Sequence, residues 1–488
     1  MSTDEEDDEY FRNPDFKKTL ARYEEALVNE QPVYMEADEL TDIAEYYMTC
    51  EREQDADRAI QYALALHPDS VDPQVFLARK QLFKGNMAEA RRISEAIVDQ
   101  DDREVKFLNS EILIKENRIR EATLYLLGVW HTLEDDCDHF LYDCAGIFMD
   151  YNQWEYAMMW ANRLQRLYPS YPKVGRLRAE LLVCMGRYAE AIPLLNKILD
   201  DNPYNKDIWN LLAESQGAQE HYSEAVESAE YVLAIDKTDK RAMVTKASCL
   251  FHMNQPQEAH LLYQAYLQSL SDDDNVLYLD AVCLASMDHY VEAAKQIGLA
   301  LEYCEKGSPQ HARILVEQAY VESKLHHLQN ALDAITQAEN IRFDDLECDY
   351  DLLRGQIYLD NRNLDEALPL FTESIRKSID KRNTLMMIAV ALGEAEYYDE
   401  AIKLMDIVYN RFPEKDSEDA DSPIPYLAYY YNRKGDDESS LFYLKHAAEI
   451  DRACTERLFS SVYPGVTPEE YYLYAYRNVY GHFPKEDE

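Results

Sequence analysis

The apolar residues of this chain follow a helical spacing, and that spacing itself recurs along the sequence. Trp209, Leu212 and Ala213 stand at i, i+3 and i+4, which places them on one face of a helix. A second helical face follows directly, and its members are Tyr222, Ala225, Ala229 and Val232. The same pattern of large and small residues returns around Ala259 and Ala293, so its period is 34 residues.

The repeated unit is a pair of helices that cannot bury its apolar face alone. Alanines on the second helix let the two helices approach closely, and the remaining apolar edge is covered by the next pair. The small residue of the second helix recurs at intervals of 34 residues or close to it, at Ala56, Ala90, Ala122, Ala157, Ala191, Ala225, Ala259, Ala293, Ala331, Ala367, Ala401 and Ser440. This series predicts an all-α chain of about twelve stacked helix pairs.

The units with the clearest pattern are residues 172–205, with Gly186, Tyr188, Ala191 and Pro203, and residues 206–239, with Trp209, Leu212 and Tyr222. With its 34-residue period, this pattern resembles the tetratricopeptide repeat. The resemblance implies a right-handed superhelical solenoid whose concave groove is lined by the first helix of each pair. Helices that cap the two ends of the array complete the fold that we expect.

The flanks of the repeats suggest four regions. Residues 1–12 are predicted to be a disordered tail because acidic residues dominate them and cannot bury a core. Residues 13–36 follow as an N-terminal capping helix that starts at Asn13-Pro14, and residues 37–450 form the repeat array as a single solenoid. Residues 451–488 are predicted to hold C-terminal capping helices and a tail, since residues 467–470 form a capping-box sequence with proline in the first turn.

The charge of the chain restricts its partners. Lysine and arginine total 49 against 93 acidic residues, which gives a net charge of −44. This excess repels phosphate backbones and anionic lipids, so neither nucleic acid nor a membrane is an expected partner. The first ten residues are acidic, unlike a signal peptide, and the nine cysteines include no CxxC pair. We therefore expect a protein of a reducing compartment, the cytoplasm by default.

The sequence contains no motif that assigns an enzymatic reaction. A phosphate loop, a dinucleotide fingerprint, a nucleophile elbow and an HExxH zinc motif are all missing. We therefore expect no catalytic residues, no cofactor and no metal site. The expected function is that of a non-enzymatic scaffold or adaptor that binds a protein or peptide partner.

One family-level function can be tested on the residues of the groove. Some tetratricopeptide proteins bind the C-terminal carboxylate of chaperones through a basic residue and an asparagine at the fifth and ninth positions of a repeat. The corresponding pairs here include Thr41/Glu45, Arg176/Glu180 and Asn210/Glu214. None matches the clamp, and the glutamates would repel a carboxylate.

The groove positions change in character along the chain. Glutamates are frequent at the ninth position in the first half, whereas neutral or apolar residues replace them in repeats seven to ten. The second, fifth and ninth positions of these repeats give our candidate partner-binding residues: Arg241, Val244, Tyr278, Val282, Arg313, Val316, Tyr320 and Leu352. Tyrosine and arginine are common at binding surfaces, although stacked first helices will bury part of this set.

A helical-repeat RNA-binding protein is the alternative function, because repeats of similar length can read bases one by one. Such a protein should carry a basic track along its groove. The arginines at groove positions are scattered, at Arg79, Arg176, Arg241 and Arg313, so the net charge of −44 favours a protein partner.

Overall fold

The computed structural model describes residues 10–11, 13–29, 32–133, 136–341, 349–412 and 422–484. These residues contain 27 α-helices and no strand, which confirms the all-α prediction. They divide into two compact units, Met1–Thr245 and Lys246–Glu488. Among the described helices, none is long and apolar enough to cross a membrane.

The first unit consists of consecutive helices joined by short turns. They are α1 (Pro14–Val28), α2 (Ala37–Thr49), α3 (Glu53–Leu66), α4 (Val71–Phe83), α5 (Met87–Ala96), α6 (Arg103–Lys115), α7 (Ile119–Trp130), α8 (Cys137–Asp150), α9 (Trp154–Leu167), α10 (Val174–Cys184), α11 (Tyr188–Asp201), α12 (Lys206–Ala218) and α13 (Tyr222–Ile235). The boundary between the two units falls within helix α14 (Lys240–His252).

The second unit continues the same arrangement of helices. After α14 come α15 (Pro256–Leu267), α16 (Asp274–Ser286), α17 (Tyr290–Tyr303), α18 (Pro309–Lys324), α19 (Leu328–Asn340), α20 (Tyr350–Asp360), α21 (Leu364–Lys377), α22 (Lys381–Glu394), α23 (Tyr398–Arg411), α24 (Pro423–Lys434), α25 (Asp437–Ile450), α26 (Arg452–Phe459), a 3₁₀ turn (Pro468–Glu470) and α27 (Tyr471–Tyr480).

Each helix pair turns through a residue in the left-handed conformation. At Gly186 φ is +69°, and the N–H of the following Arg187 donates to the carbonyl of Leu182 at 2.8 Å. This six-residue bond is the Schellman arrangement that ends many helices. Left-handed residues stand at the corresponding turns as Glu51, Gly85, Asn117, Asn152, Gly186, Glu220, Asn254, Asp288, His326, Arg362, Glu396 and Gly435. Each of them precedes the small residue of its second helix by five positions.

The alanines that define the sequence period form the centre of the core. Every alanine of that series is fully buried, and Ser440 is nearly so. Larger side chains from the first helices fill the space around them, as Leu284 and Ile314 do around Ala293. The close helix approach predicted from the small residues is therefore confirmed.

One core position of the second unit carries a carboxylate. Asp280 on α16 is fully buried and accepts hydrogen bonds from His260 at 2.6 Å, Gln264 at 2.7 Å and Gln296 at 2.9 Å. A buried carboxylate is tolerated when donors satisfy its oxygens. Asp280 therefore ties helices α15 and α17 to α16.

The N-terminal helix begins where the sequence predicts. The side chain of Asn13 accepts from the N–H of Asp15 at 2.9 Å and caps α1. Two residues of the predicted tail, Tyr10 and Phe11, are described, and Phe11 is buried between Phe16 and Tyr46. These two aromatic residues supply apolar area that the acidic composition of the tail conceals. The other tail residues, 1–9 and 12, lie outside the described residues.

At the other end, the predicted C-terminal helices are present as α26 and α27. Phe459 and Tyr471 are buried against Leu444 and Ala447 of α25. The segment that was predicted as a capping box forms the 3₁₀ turn, and its Thr467 hydroxyl donates to Glu470 at 3.1 Å.

The described cysteines are all free thiols. Burial raises the pKa of Cys249 to about 11 and that of Cys283 to about 12. Such thiols act as small core residues, because their reactive thiolate forms are suppressed.

Candidate interaction surface

The predicted partner-binding residues lie on the first helices of their pairs, in both units. In the first unit, Arg241 and Val244 stand on α14. Arg241 is exposed, and its guanidinium donates to Glu214 at 2.6 Å. This hydrogen bond raises the pKa of Arg241. Because Glu214 already neutralises it, Arg241 offers less charge to a partner than the sequence suggests.

In the second unit, five of the predicted residues lie on two neighbouring helices. Tyr278 and Val282 stand on α16, and Arg313, Val316 and Tyr320 stand on α18. The α18 residues are spaced at i, i+3 and i+7, so one face of the helix presents them all. We call these five residues the first-helix face.

Exposure differs among the members of the first-helix face. Tyr320 is 43% exposed, and Arg313 is exposed and has no ion pair among the described residues. Tyr278, Val282 and Val316 are half-buried. The face therefore combines an aromatic ring, an unpaired guanidinium and partly covered apolar groups.

Leu352, the last predicted residue, does not lie on this surface. It is 5% exposed and belongs to the core around Phe371 and Leu385. Val316, which occupies the same fifth position in the preceding repeat, is only half-buried. The same repeat position therefore has different surroundings in consecutive pairs. Leu352 is therefore a packing residue.

Tyr320 is held in place by two neighbouring side chains. Its ring meets the ring of Tyr290 edge to face, with centroids 6.4 Å apart. The ammonium of Lys324 lies 5.4 Å from the centre of the Tyr320 ring and pairs with Asp360 at 2.8 Å. These contacts restrict the ring, which reduces the entropy that a partner would lose on binding it.

Glu317 is a member of this surface that the sequence analysis missed. It stands four residues after Arg313, and burial raises its pKa from 4.5 to about 7. Burial, and then the charge of Glu317, raise the pKa of Tyr278, whereas Arg313 lowers it. Glu317 and Lys324 stand 4 and 11 residues after Arg313, so helical spacing places them on the same side of α18. This spacing is the signal in the sequence by which both could have been predicted.

The glutamates that weakened the chaperone-clamp interpretation also have local partners. Arg176 donates to Glu180 at 2.7 Å, so both residues of that pair are used within the chain. Glu111 accepts from Arg79 at 2.9 Å in the same way. Acidic and basic groove positions of the first unit thus pair with one another.

Among the described residues, one cluster could hold a metal ion by geometry. Ligand atoms of Asp136, Asp138 and His139 lie within 4.8 Å of one another. Arg103 donates to Asp136 at 2.6 Å, and His139 approaches the same carboxylate at 2.8 Å. Arg103 already compensates the charge of Asp136, so the cluster is explained as a polar network at the start of α8.

Solved structures that resemble the chain have low sequence identity. The human IFIT1 dimer with PPP-AAAA is 14% identical with a TM-score of 0.43, and the match covers 78% of this chain and 90% of that chain. The APC/C hetero-tetramer Cut9-Hcn1 is 14% identical with a TM-score of 0.40, covering 78% and 74%. A tetratricopeptide repeat protein from Parabacteroides merdae is 14% identical with a TM-score of 0.36, covering 57% and 94%.

Two protein-family models match parts of the sequence, whereas no curated protein matches it. The model described as "Tetratricopeptide repeat" matches residues 172–215. The model described as "Anaphase-promoting complex, cyclosome, subunit 3" matches residues 218–300. The first match identifies a tetratricopeptide repeat at residues 172–215, and the neighbouring helix pairs share its 34-residue period.

Proposed function

We propose that this protein is a non-enzymatic scaffold or adaptor that binds a protein or peptide partner on its first helices. The tetratricopeptide repeats support the general role, since stacked helix pairs offer extended surfaces for partners. A location in the cytoplasm is part of the proposal and is favoured by the free cysteines. The acidic net charge of −44 favours a protein partner over a nucleic acid.

The first-helix face of α16 and α18 carries this proposal. Tyr320 is exposed and packs edge to face on Tyr290, and the neighbouring Arg313 has no ion pair among the described residues. Arginine forms two parallel hydrogen bonds with a carboxylate, and tyrosine contributes large contact area with few torsions. A peptide that presents an acidic or carbonyl group beside an apolar side chain would fit these residues.

The experiment compares a double variant with the natural protein. Capture from cell extract, followed by cross-linking mass spectrometry, identifies the partner and the lysines close to it. We expect cross-links from Lys324, which borders the first-helix face, and fewer from Lys295, which is exposed on the second helix α17. The double variant Tyr278→Ala/Tyr320→Ala should lose affinity for that partner, by about 2 kcal/mol or more if either tyrosine is a hot spot.

A matched control separates loss of binding from loss of structure. Tyr303→Ala removes another exposed tyrosine of the same unit, on α17, and should leave the affinity unchanged. Circular dichroism should show that the double variant keeps its helices. Normal binding by a folded double variant would place the partner elsewhere on the molecule.

A further inference from the structure

A pocket in the first unit is lined by residues between Met158 and Lys197. Helices α9, α10 and α11 line it, and its volume is about 370 Å³. The residues that matter for its chemistry are Met158, Asn162, Arg178, Arg187, Glu190 and Lys197. Pockets of this size hold small ligands in many proteins.

The pocket has a positive charge although the chain as a whole has a charge of −44. Three basic side chains line it, and a single carboxylate, Glu190, faces them. Glu190 accepts from Arg187 at 2.7 Å and 2.8 Å, so these two charges cancel. Arg178 and Lys197 have no ion pair among the described residues, which leaves two uncompensated cations in one pocket.

Arg178 differs from the other arginine of its helix. Arg176, two residues earlier on α10, donates to Glu180 at 2.7 Å. The Nε of Arg178 is shielded from solvent and has no acceptor among the described residues. A shielded Nε does not reach a ligand, so contact with an anion in the pocket falls to the two terminal nitrogens of Arg178.

We propose that this pocket binds a compact phosphate-type oxyanion. Arg178 and Lys197 approach it from two different helices, α10 and α11, and the amide of Asn162 on α9 adds a further donor. Arginine matches the oxygens of phosphate with two parallel hydrogen bonds, and lysine contributes a point charge. This site shares no residue with the first-helix face and lies in the other unit, so the two can be tested independently.

The test is calorimetric titration of the full chain with inorganic pyrophosphate in a phosphate-free buffer. We expect saturable binding at one site per chain. Arg178→Gln should weaken it by at least about tenfold, because hydrogen bonds to charged groups are among the strongest. Arg176→Gln is the matched control on the same helix and should bind pyrophosphate like the natural protein.

A second variant and a second probe complete the test. Lys197→Gln changes an exposed side chain, so it should fold normally and weaken binding even if Arg178→Gln fails to fold. Adenosine diphosphate distinguishes the source of the oxyanion: tighter binding than pyrophosphate indicates a nucleotide, and weaker binding indicates a free oxyanion. Absence of saturable binding for both probes, or equal affinity in a folded Arg178→Gln or Lys197→Gln protein, would overturn the proposal.

Discussion

Glu317 lies on α18 between Arg313 and Tyr320, and burial raises its pKa from 4.5 to about 7. The folded state therefore holds the proton of Glu317 more tightly than the unfolded state does. Between these two pH values, a rise in pH removes a proton from the unfolded chain before the folded one. The folded state consequently loses stability as the pH rises from about 4.5 to about 7.

Glu317→Gln should remove this pH dependence, since an amide does not titrate. The variant should match the natural protein near pH 5 and exceed its free energy of unfolding near pH 8, by roughly 1–3 kcal/mol. Urea denaturation at the two pH values measures the difference. Glu292→Gln, which changes an exposed glutamate of α17, is the control and should show no such gain. A constant difference at both pH values would assign another role to Glu317.

The residues of the candidate surface were only partly predictable from the sequence. Tyr320 and Arg313 were found because helix geometry alone fixes which face of α18 they share. The burial of Leu352 and the pairing of Arg241 depend on residues from adjacent helices, Phe371 and Glu214. The position of a residue in the repeat determines the helix face on which its side chain lies. It does not determine which residues of the adjacent helices cover or pair with that side chain.

At the scale of helix pairs, two glycines lie directly against an aromatic ring of a nearby helix. A methyl group at Gly355 on α20 would approach the ring of Phe371 on α21 to 2.3 Å. At Gly393 on α22, the same group would approach the ring of Tyr430 on α24 to 2.3 Å. Large aromatic rings occupy the space that a missing side chain leaves, so glycine at these positions serves packing.

Gly355→Ala should therefore destabilise the protein, by roughly 1–3 kcal/mol for overpacking. Gly146→Ala provides the contrast, because a methyl group at this position of α8 would meet no atom within 4 Å. That substitution should stabilise the helix by about 0.5–1 kcal/mol, since alanine is a better helix former than glycine. Chemical denaturation measures the free energy of unfolding of both variants. Effects of the same sign would contradict the assignment of a packing role to Gly355 and not to Gly146.

The helix pairs themselves could be predicted because local signals and the long-range period agree. Turn residues such as Gly186 precede the buried alanine by the same number of positions in successive pairs. The contacts of Phe11 were not predicted, because the composition of a short acidic segment outweighed the two aromatic residues in it. Periodicity identifies the repeated part of the chain well, and its flanks poorly.

At the scale of the whole chain, the net charge of −44 is the dominant electrostatic feature. Like charges repel one another more in the compact state than in the expanded unfolded state, so this excess destabilises folding. Salt screens such repulsion, because the Debye length falls from about 30 Å at 0.01 M to about 8 Å at 0.15 M. Exposed ion pairs such as Arg22–Glu39 are screened as well, but each contributes little.

We therefore expect the thermal midpoint to rise by a few degrees when sodium chloride is raised from about 10 to about 150 mM. Differential scanning fluorimetry over a salt series measures the shift. Potassium chloride should produce the same rise, since screening depends on ionic strength rather than on the cation. A fall of the midpoint with salt would mean that ion pairs stabilise this chain more than its net charge destabilises it.

The left-handed turns make the order of unfolding adjustable. Many of them carry a side chain where glycine would fit without strain, among them Glu51, Glu220 and Arg362. A non-glycine residue in this conformation costs roughly 1–2 kcal/mol of stability. Glycine removes this strain, but part of the gain is lost because glycine also raises the entropy of the unfolded chain. Because distant substitutions add and each repeat contributes its own stability, glycine at chosen turns would decide which helix pairs open first. The turns thus form a series of separate substitution sites, one for each pair, that leave the residues of the first-helix face unchanged.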